Sequence, residues 1–360
     1  MTLEQGGEQA PVEPDAAAEA AAQHAAIQRA AAEQAQKESG DLLRSVPLPR
    51  AGGESESLMT VLVAFAANIL IAVAKTVAAV MTGSASLVAE AAHSWADSGN
   101  EIFLLMANRR SRRPADGAHP LGYGREAYVW SLFAALGLFV AGAVVSVSQG
   151  INELLHPESA SNFLIGYVVL AVSFVLEGTS FLQSVRQAKP EAESMQRDLI
   201  DHVLATSDPT LRAVFFEDSA ALVGVVFAAA GLGLHQLTGS PIPDAVGSIL
   251  IGVLLGAVAI VLINRNRRFL IGQEADPEVR AAAIRALLAA PEVARVTYLR
   301  LEVVGPRMIF VVGDVDLTGD DPEPRLAYRL RALEAKISAS PAVVGAVLSL
   351  SAPDEPTLEA

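Results

Sequence analysis

The chain has 360 residues, of which 52% are hydrophobic, and it carries a formal net charge of −14. A soluble domain of this length is usually more polar, so the composition indicates a membrane protein. The negative charge argues against a nucleic-acid partner, because nucleic acids attract basic patches. The chain contains no cysteine, which excludes disulfides and thiolate metal sites and leaves His, Asp, Glu and backbone oxygens as possible metal ligands.

The first 57 residues form an acidic, Ala-rich segment with few large apolar side chains. Such a segment cannot bury enough apolar surface to fold alone, so we predict a disordered tail over 1–57. It has no basic start followed by an apolar stretch, and a cleaved signal peptide is therefore not expected.

Five long apolar stretches follow, each able to cross a hydrocarbon core of about 30 Å as a helix. A sixth candidate carries Glu90, His93, Asp97 and Glu101. Ionisable groups are costly in lipid, but these four recur every three or four residues and so share one helical face. If that face looks into a helix bundle, the segment can also span the membrane. We therefore predict a six-helix transmembrane domain over 58–268, with spans at about 58–81, 85–107, 127–151, 162–185, 211–237 and 244–264.

The charges of the connecting segments predict the orientation of these spans. Segments 108–126 and 186–212 are rich in Lys and Arg, whereas 82–84, 152–161 and 238–243 contain neither. Basic residues collect in cytoplasmic loops, and with six spans the basic and non-basic segments alternate. This predicts a multi-pass protein of the cell membrane with both termini in the cytoplasm.

Beyond residue 268 the composition becomes that of a small soluble domain, which we place at 269–352, followed by a short tail over 353–360. Apolar periodicity predicts the element order αββαβ, an α+β fold with two helices on one face of a small sheet. A domain of this size folds alone only marginally, so we expect it to pair with a second copy. The helices are expected at 277–288 and 322–338, and the strands at 292–304, 308–317 and 342–350.

His93 and Asp97 stand four residues apart, so their side chains lie on one face of the second span and can hold one ion together. An imidazole with a carboxylate suits zinc or a neighbouring first-row metal better than magnesium or calcium. The alternative is a histidine of the core whose hydrogen bonds are satisfied by the protein, beside an aspartate that caps a helix. Inside a membrane, however, ionisable residues are usually functional.

The fifth span adds the adjacent carboxylates Glu217 and Asp218. Asp218 makes a third ligand, and Glu217 is either the fourth ligand or the partner of a neighbouring polar group. A metal binds such a set only by displacing protons from it, so the ligands predict exchange of a divalent metal for protons. The metal is then the transported ion, and we expect no cofactor.

Other polar residues have more than one interpretation. Glu177 in the fourth span is a candidate proton relay or a packing partner of Ser or Thr. Asp116 and His119, three apart in a cytoplasmic loop, are a candidate secondary metal site or gate, or else an ordinary surface turn. Lys75 lies near the outer end of the first span and is expected to extend to the interface. Asp244 is expected to cap the last span.

Three segments resemble the cation diffusion facilitator family. They are SLVAEAAHSWADSGN in the second span, HPLGYGRE in the loop after it and LIGQEADPE before the soluble domain. The resemblance covers about 54–352. It implies a homodimer with a six-helix transporter domain, a ferredoxin-like cytoplasmic domain and metal–proton antiport. His93 and Asp97 match the family's paired ligands, and Asp218 matches the aspartate of the fifth span.

The sequence departs from the family pattern at three places. Val214 stands where the family usually has a ligand four residues before Asp218. Glu217 resembles the replacement found in a subgroup that includes a mitochondrial zinc transporter, which favours zinc and leaves manganese, iron and cobalt open. Tyr123 replaces a second loop histidine of some relatives, which would weaken a site at Asp116 and His119. Residues 236–360 contain no His, so a metal-sensing site there is not expected.

Two other classes of function deserve comparison with transport. An intramembrane metalloenzyme would use the ion at His93, Asp97 and Asp218 to activate water, but it should offer more His ligands and a separate general base. A membrane-anchored scaffold would leave the buried acids unexplained. The sequence therefore predicts a transporter in the lipid bilayer rather than an enzyme.

Overall fold

The computed structural model describes Leu43, Val46 and residues 58–157 and 160–359, without the side chains of 58–64. The tail predicted over 1–57 lies outside the described residues, apart from Leu43 and Val46. These two side chains are buried against the core of the C-terminal sheet domain. The chain just before the first helix therefore contacts the soluble domain at these two points.

Six long helices form a bundle, and a short helix, α5, joins two of them. Five of the long helices described are long and apolar enough to cross a membrane, and α2 is the exception because of its ionisable residues. The helices are α1 (Leu58–Thr82), α2 (Ala85–Ser111), α3 (Glu126–Leu155), α4 (Phe163–Ser194), α5 (Leu199–Ala205), α6 (Pro209–Thr238) and α7 (Ile242–Leu270).

Helix α2 has 27 residues, so it is about 40 Å long at 1.5 Å per residue and long enough to span a bilayer. It packs against α1, α3, α6 and α7. Glu90 and His93 are fully buried on it. The inward-facing position that the span requires is thus observed for these two residues, whereas Asp97 and Glu101 are only partly buried and the number of membrane spans stays a prediction.

The start of α2 is fixed by Asp244 of α7, whose carboxylate accepts hydrogen bonds from the backbone N–H of Ala85 at 2.7 Å and from Ser84 Oγ at 2.9 Å. Ser86 Oγ donates to the same carboxylate. The prediction that Asp244 caps its own helix is wrong, because α2 brings three donors to it. Asp244 thus positions the helix that carries the candidate ligands.

Helices α3 and α7 approach each other closely through small residues. A Cβ added at Gly252 would lie 2.9 Å from the carbonyl oxygen of Ala143 and 2.6 Å from Val147 Cγ2. Only glycine fits there, as is usual where membrane helices pack tightly. The middle of α3 contains a π-helical segment, Leu138–Val144, which the sequence analysis did not predict.

The segment after the fourth span is more helical than expected. Helix α4 continues past the predicted end at 185 to Ser194, with Pro190 inside its last turns. Helix α5 then lies within the segment predicted as a loop over 186–212.

The C-terminal domain contains four strands and two helices, with the sheet order β1-β2-β3-β4. Strands β2 and β3 pair antiparallel, whereas β3 and β4 pair parallel. The predicted helices and strands are all present. A two-residue strand, β1, also pairs antiparallel with β2 and was not predicted. The elements are β1 (Gln273–Glu274), α8 (Pro277–Leu288), β2 (Val293–Gly305), β3 (Met308–Leu317), α9 (Glu323–Ser338) and β4 (Val343–Leu350).

Ion pairs join this domain to the adjacent end of the helix bundle. Arg307 lies 2.9 Å from Glu191 and 3.4 Å from Asp208. Arg125, in the loop before α3, pairs with Glu302 of β2. The Arg125–Glu302 pair is partly exposed, and such pairs contribute at most about 1 kcal/mol, whereas the Arg307 side chain is only 13% exposed.

Candidate metal centre

The side chains of His93 and Asp97 meet inside the bundle. His93 Nδ1 lies 3.5 Å from Asp97 Oδ1, and the imidazole is fully buried. Within the described residues, neither ring nitrogen of His93 nor Asp97 Oδ1 has a hydrogen-bond partner. Buried polar atoms without partners are costly and uncommon. The pair therefore offers buried nitrogen and oxygen atoms that are free to coordinate a metal ion.

Asp218 and Glu217 lie on α6, which packs against α2 and α4. Asp218 Oδ2 accepts a hydrogen bond from Ser180 Oγ of α4 at 2.7 Å. The Glu217 carboxylate accepts hydrogen bonds from the side-chain amide of Asn100 on α2. Asn100 is therefore part of the site. The sequence analysis missed it, although it lies one turn from Asp97 on the same helix.

The four predicted ligands occupy one region but do not form a common coordination sphere. In the part of the chain that the structure describes, no three His, Asp or Glu side chains are close enough to hold one ion. The carboxylate of Asp97 nevertheless interacts electrostatically with those of Glu217 and Asp218. The structure thus pairs His93 with Asp97 and holds the other two candidates nearby by hydrogen bonds.

A second buried cluster lies beside this region and consists of Lys75, Glu90 and Glu177. Lys75 Nζ lies 2.8 Å from Glu90 Oε2 and 2.7 Å from Glu177 Oε1, and the side chains of Lys75 and Glu90 are fully buried. The prediction that Lys75 extends to the interface is wrong, because two carboxylates on α2 and α4 are nearer partners. Glu177 is bonded to an ammonium group rather than to Ser or Thr.

Asp116 organises the loop between α2 and α3. Its carboxylate accepts hydrogen bonds from the backbone N–H of His119 at 2.8 Å and of Ala118 at 3.0 Å, and from the Tyr123 hydroxyl at 2.7 Å. The bond from Tyr123 is the main reason that the pKa of Asp116 falls to about 2. The His119 ring lies 3.2 Å from the same carboxylate. These contacts explain Asp116 and His119 as residues that stabilise a surface turn. A secondary metal site here stays a prediction.

Long apolar helices with ionisable residues on their inner faces define a multi-pass membrane protein. The family model described as the cation efflux transmembrane domain matches residues 61–271. The chain therefore belongs to the cation efflux family, also called the cation diffusion facilitators, whose members are transporters rather than enzymes.

Named relatives support this assignment. Metal tolerance protein C4 from Arabidopsis thaliana is 36% identical over 233 residues, which cover 65% of this chain and 51% of that protein. The mitochondrial proton-coupled zinc antiporter SLC30A9 from Xenopus laevis is 35% identical over 259 residues, covering 72% of this chain and 46% of the antiporter. The human antiporter of that name is 33% identical over the same length. The chain thus spans about half the length of these relatives.

Proposed function

We propose that this protein exports a divalent transition-metal cation, zinc, from the cytoplasm in exchange for protons. The observation that carries the proposal is the pair of His93, which is fully buried, and Asp97, which is partly buried; the ring nitrogens of His93 have no hydrogen-bond partner in the described residues. An imidazole beside a carboxylate suits zinc among the divalent metals. The pair lies on a helix inside the domain by which the family is recognised.

In this proposal all six long helices span the cell membrane, including α2, with both termini in the cytoplasm. The ferredoxin-like domain at 269–352 lies in the cytoplasm and pairs with that of a second copy. The contacts of α2 with four neighbouring helices support its place as a span, because its ionisable residues then face protein rather than lipid.

The proposed ligands are His93, Asp97, Asp218 and Glu217. Ligation by all four requires α2 and α6 to draw their side chains together, and Glu217 to exchange its bond with Asn100 for a bond to the ion. Protons occupy the carboxylates when the ion leaves, and the ion displaces them when it binds. Alternate exposure of this site to the two sides of the membrane would couple the two fluxes.

Zinc is favoured over other metals by two observations. The donor set contains one nitrogen and carboxylate oxygens, a combination that zinc accepts readily. Two of the relatives described above are named as proton-coupled zinc antiporters. Manganese, iron and cobalt are the second candidates, because imidazole and carboxylate ligands also bind them.

The test is transport by the purified full-length protein in liposomes that contain a zinc-sensitive dye. With an outward-directed proton gradient, we expect zinc uptake that is faster than in protein-free liposomes and that stops when an ionophore collapses the gradient. Uptake insensitive to the ionophore would contradict proton exchange, and absence of uptake would contradict the proposed function. Competition by manganese, iron and cobalt in the same assay measures selectivity.

Glu217→Gln tests the fourth ligand. Glutamine preserves an acceptor for Asn100 but removes the negative charge, so we expect zinc to bind at least about tenfold more weakly, as is usual when a metal site loses a supporting group. Calorimetric titration of the purified protein measures this. Glu193→Gln, at an exposed position whose side chain pairs with Lys189, serves as the matched control. Equal zinc affinity in Glu217→Gln and the wild type would leave Glu217 as a structural partner of Asn100 alone.

A further inference from the structure

The cluster of Lys75, Glu90 and Glu177 joins three helices of the bundle, α1, α2 and α4. Lys75 and Glu90 have side chains that are fully buried, and that of Glu177 is 13% exposed. Burying ionised groups is expensive even when they are paired, and apolar residues of similar volume would pack at least as well. In membrane proteins, such groups usually have a function beyond stability.

The two carboxylates keep acceptor oxygens that the ammonium group does not use. Glu90 Oε1 and Glu177 Oε2 are buried and have no hydrogen-bond partner among the described residues. Glu90 Oε1 faces Gly224 of α6, where a Cβ would collide with it. The pair of carboxylates therefore has two unused, buried oxygens, as a cation site would.

The cluster adjoins the proposed transport site. Glu90 lies three residues before His93, one turn away on α2. Glu177 likewise lies three residues before Ser180 on α4, whose hydroxyl donates to Asp218. A cation that enters the bundle thus meets two neighbouring sets of carboxylates, of which one already holds a positive charge.

We propose that Lys75 is a specificity-determining residue that acts as a tethered cation. Its ammonium group occupies the Glu90–Glu177 pair and prevents a divalent ion from binding there. The transported ion is thereby confined to the neighbouring set that contains His93 and Asp97. A divalent ion at Glu90 and Glu177 would have to displace the ammonium group and leave it buried without a partner, which is strongly unfavourable. This inference rests on the proposed function, because it assumes that the neighbouring set binds the transported ion.

The test is the zinc stoichiometry of the purified full-length protein, measured by calorimetric titration. We expect one zinc per chain in the wild type and in Lys75→Arg, which keeps the charge. Lys75→Met removes the cation, so we expect either a second zinc per chain or at least a tenfold lower Kd. Adding Glu177→Gln to Lys75→Met should cancel this gain. A purely structural role for Lys75 would alter thermal stability without changing the stoichiometry or the Kd of the folded protein.

Lys75→Met leaves two buried carboxylates unpaired, and that variant can fail to fold. A second comparison avoids this difficulty. The double variant Lys75→Met/Glu90→Gln retains only the Glu177 carboxylate, and the triple variant Lys75→Met/Glu90→Gln/Glu177→Gln has a neutral cluster. We expect the double variant to bind zinc at least tenfold more tightly than the triple variant, because only the double variant keeps the Glu177 carboxylate, and no ammonium group occupies it there. Equal affinities in these two variants would overturn the inference.

The outcomes also separate this inference from the proposed function. If the wild type binds no zinc, or if Asp97→Ala binds zinc as the wild type does, the proposed transport site is wrong. If the wild type binds one zinc in a manner that depends on Asp97, but folded Lys75→Met binds zinc identically to the wild type, the role of Lys75 alone is wrong.

Discussion

Asp97→Ala and Asp218→Ala are each expected to abolish zinc flux in liposomes, with a fall of at least about 100-fold. Loss of a group that merely supports a metal ligand already weakens binding by about 10–100-fold, and loss of a ligand should cost more. The remaining carboxylates would also have fewer protons to exchange for the ion. The measurement is the initial rate of dye-reported zinc uptake under the same proton gradient, at equal protein density.

The two variants differ in what they test. Asp97 already lies beside His93, whereas Asp218 is bonded to Ser180 of the neighbouring helix. Asp218→Asn preserves an acceptor for Ser180 and removes the charge, so it separates ligation from packing. Asp320→Ala, at an exposed position in the loop before α9, is the matched control and should transport as the wild type does. Normal flux in both Asp97→Ala and Asp218→Ala would refute the proposed site.

The helix α2 shows how much the sequence could predict. Its ionisable residues recur with a helical period, and this period predicted both the helix over 85–107 and the burial of Glu90 and His93, which the structure confirms. Periodicity works here because all the information lies within one helix. The strands of the C-terminal domain could be predicted for the same reason. Along β3, for example, the alternation of residue types in the sequence matches the alternation of buried and partly buried residues.

The contacts between helices could not be predicted in this way. From its position near the end of α1, Lys75 was predicted to reach the membrane–water interface. Its partners, Glu90 and Glu177, instead lie on other helices, 15 and 102 residues away from it in the chain. Asn100 has no charge to mark it, and only the packing of α2 against α6 shows that it binds Glu217. The strand β1 has two residues, too few for an alternation to be visible.

Asp244 of α7 holds the first turn of α2 and so helps to position the candidate ligands on that helix. A residue that only capped its own helix, α7, would not have this role. Ser84, Ser86 and Asp244 are all buried, with at most 1% of each residue exposed. One carboxylate satisfies two hydroxyl groups and a backbone N–H of the turn that starts α2. The face of α2 that carries His93 is thereby fixed relative to α7 from its first turn onwards.

Asp244→Ala is accordingly expected to destabilise the protein by about 3 kcal/mol, since three buried donors lose their acceptor at roughly 1 kcal/mol each. We expect a clear fall in the thermal unfolding midpoint of the detergent-purified protein, together with weaker zinc binding because α2 is no longer held at its start. Asp276→Ala removes the cap of α8, bonded to the backbone N–H of Glu278, and the ion pair of Asp276 with Arg197, and should cost only about 1–2 kcal/mol without changing zinc affinity. If Asp244→Ala were no more destabilising than Asp276→Ala, the carboxylate would not be what positions α2, and the bundle would have to hold that helix by apolar packing alone.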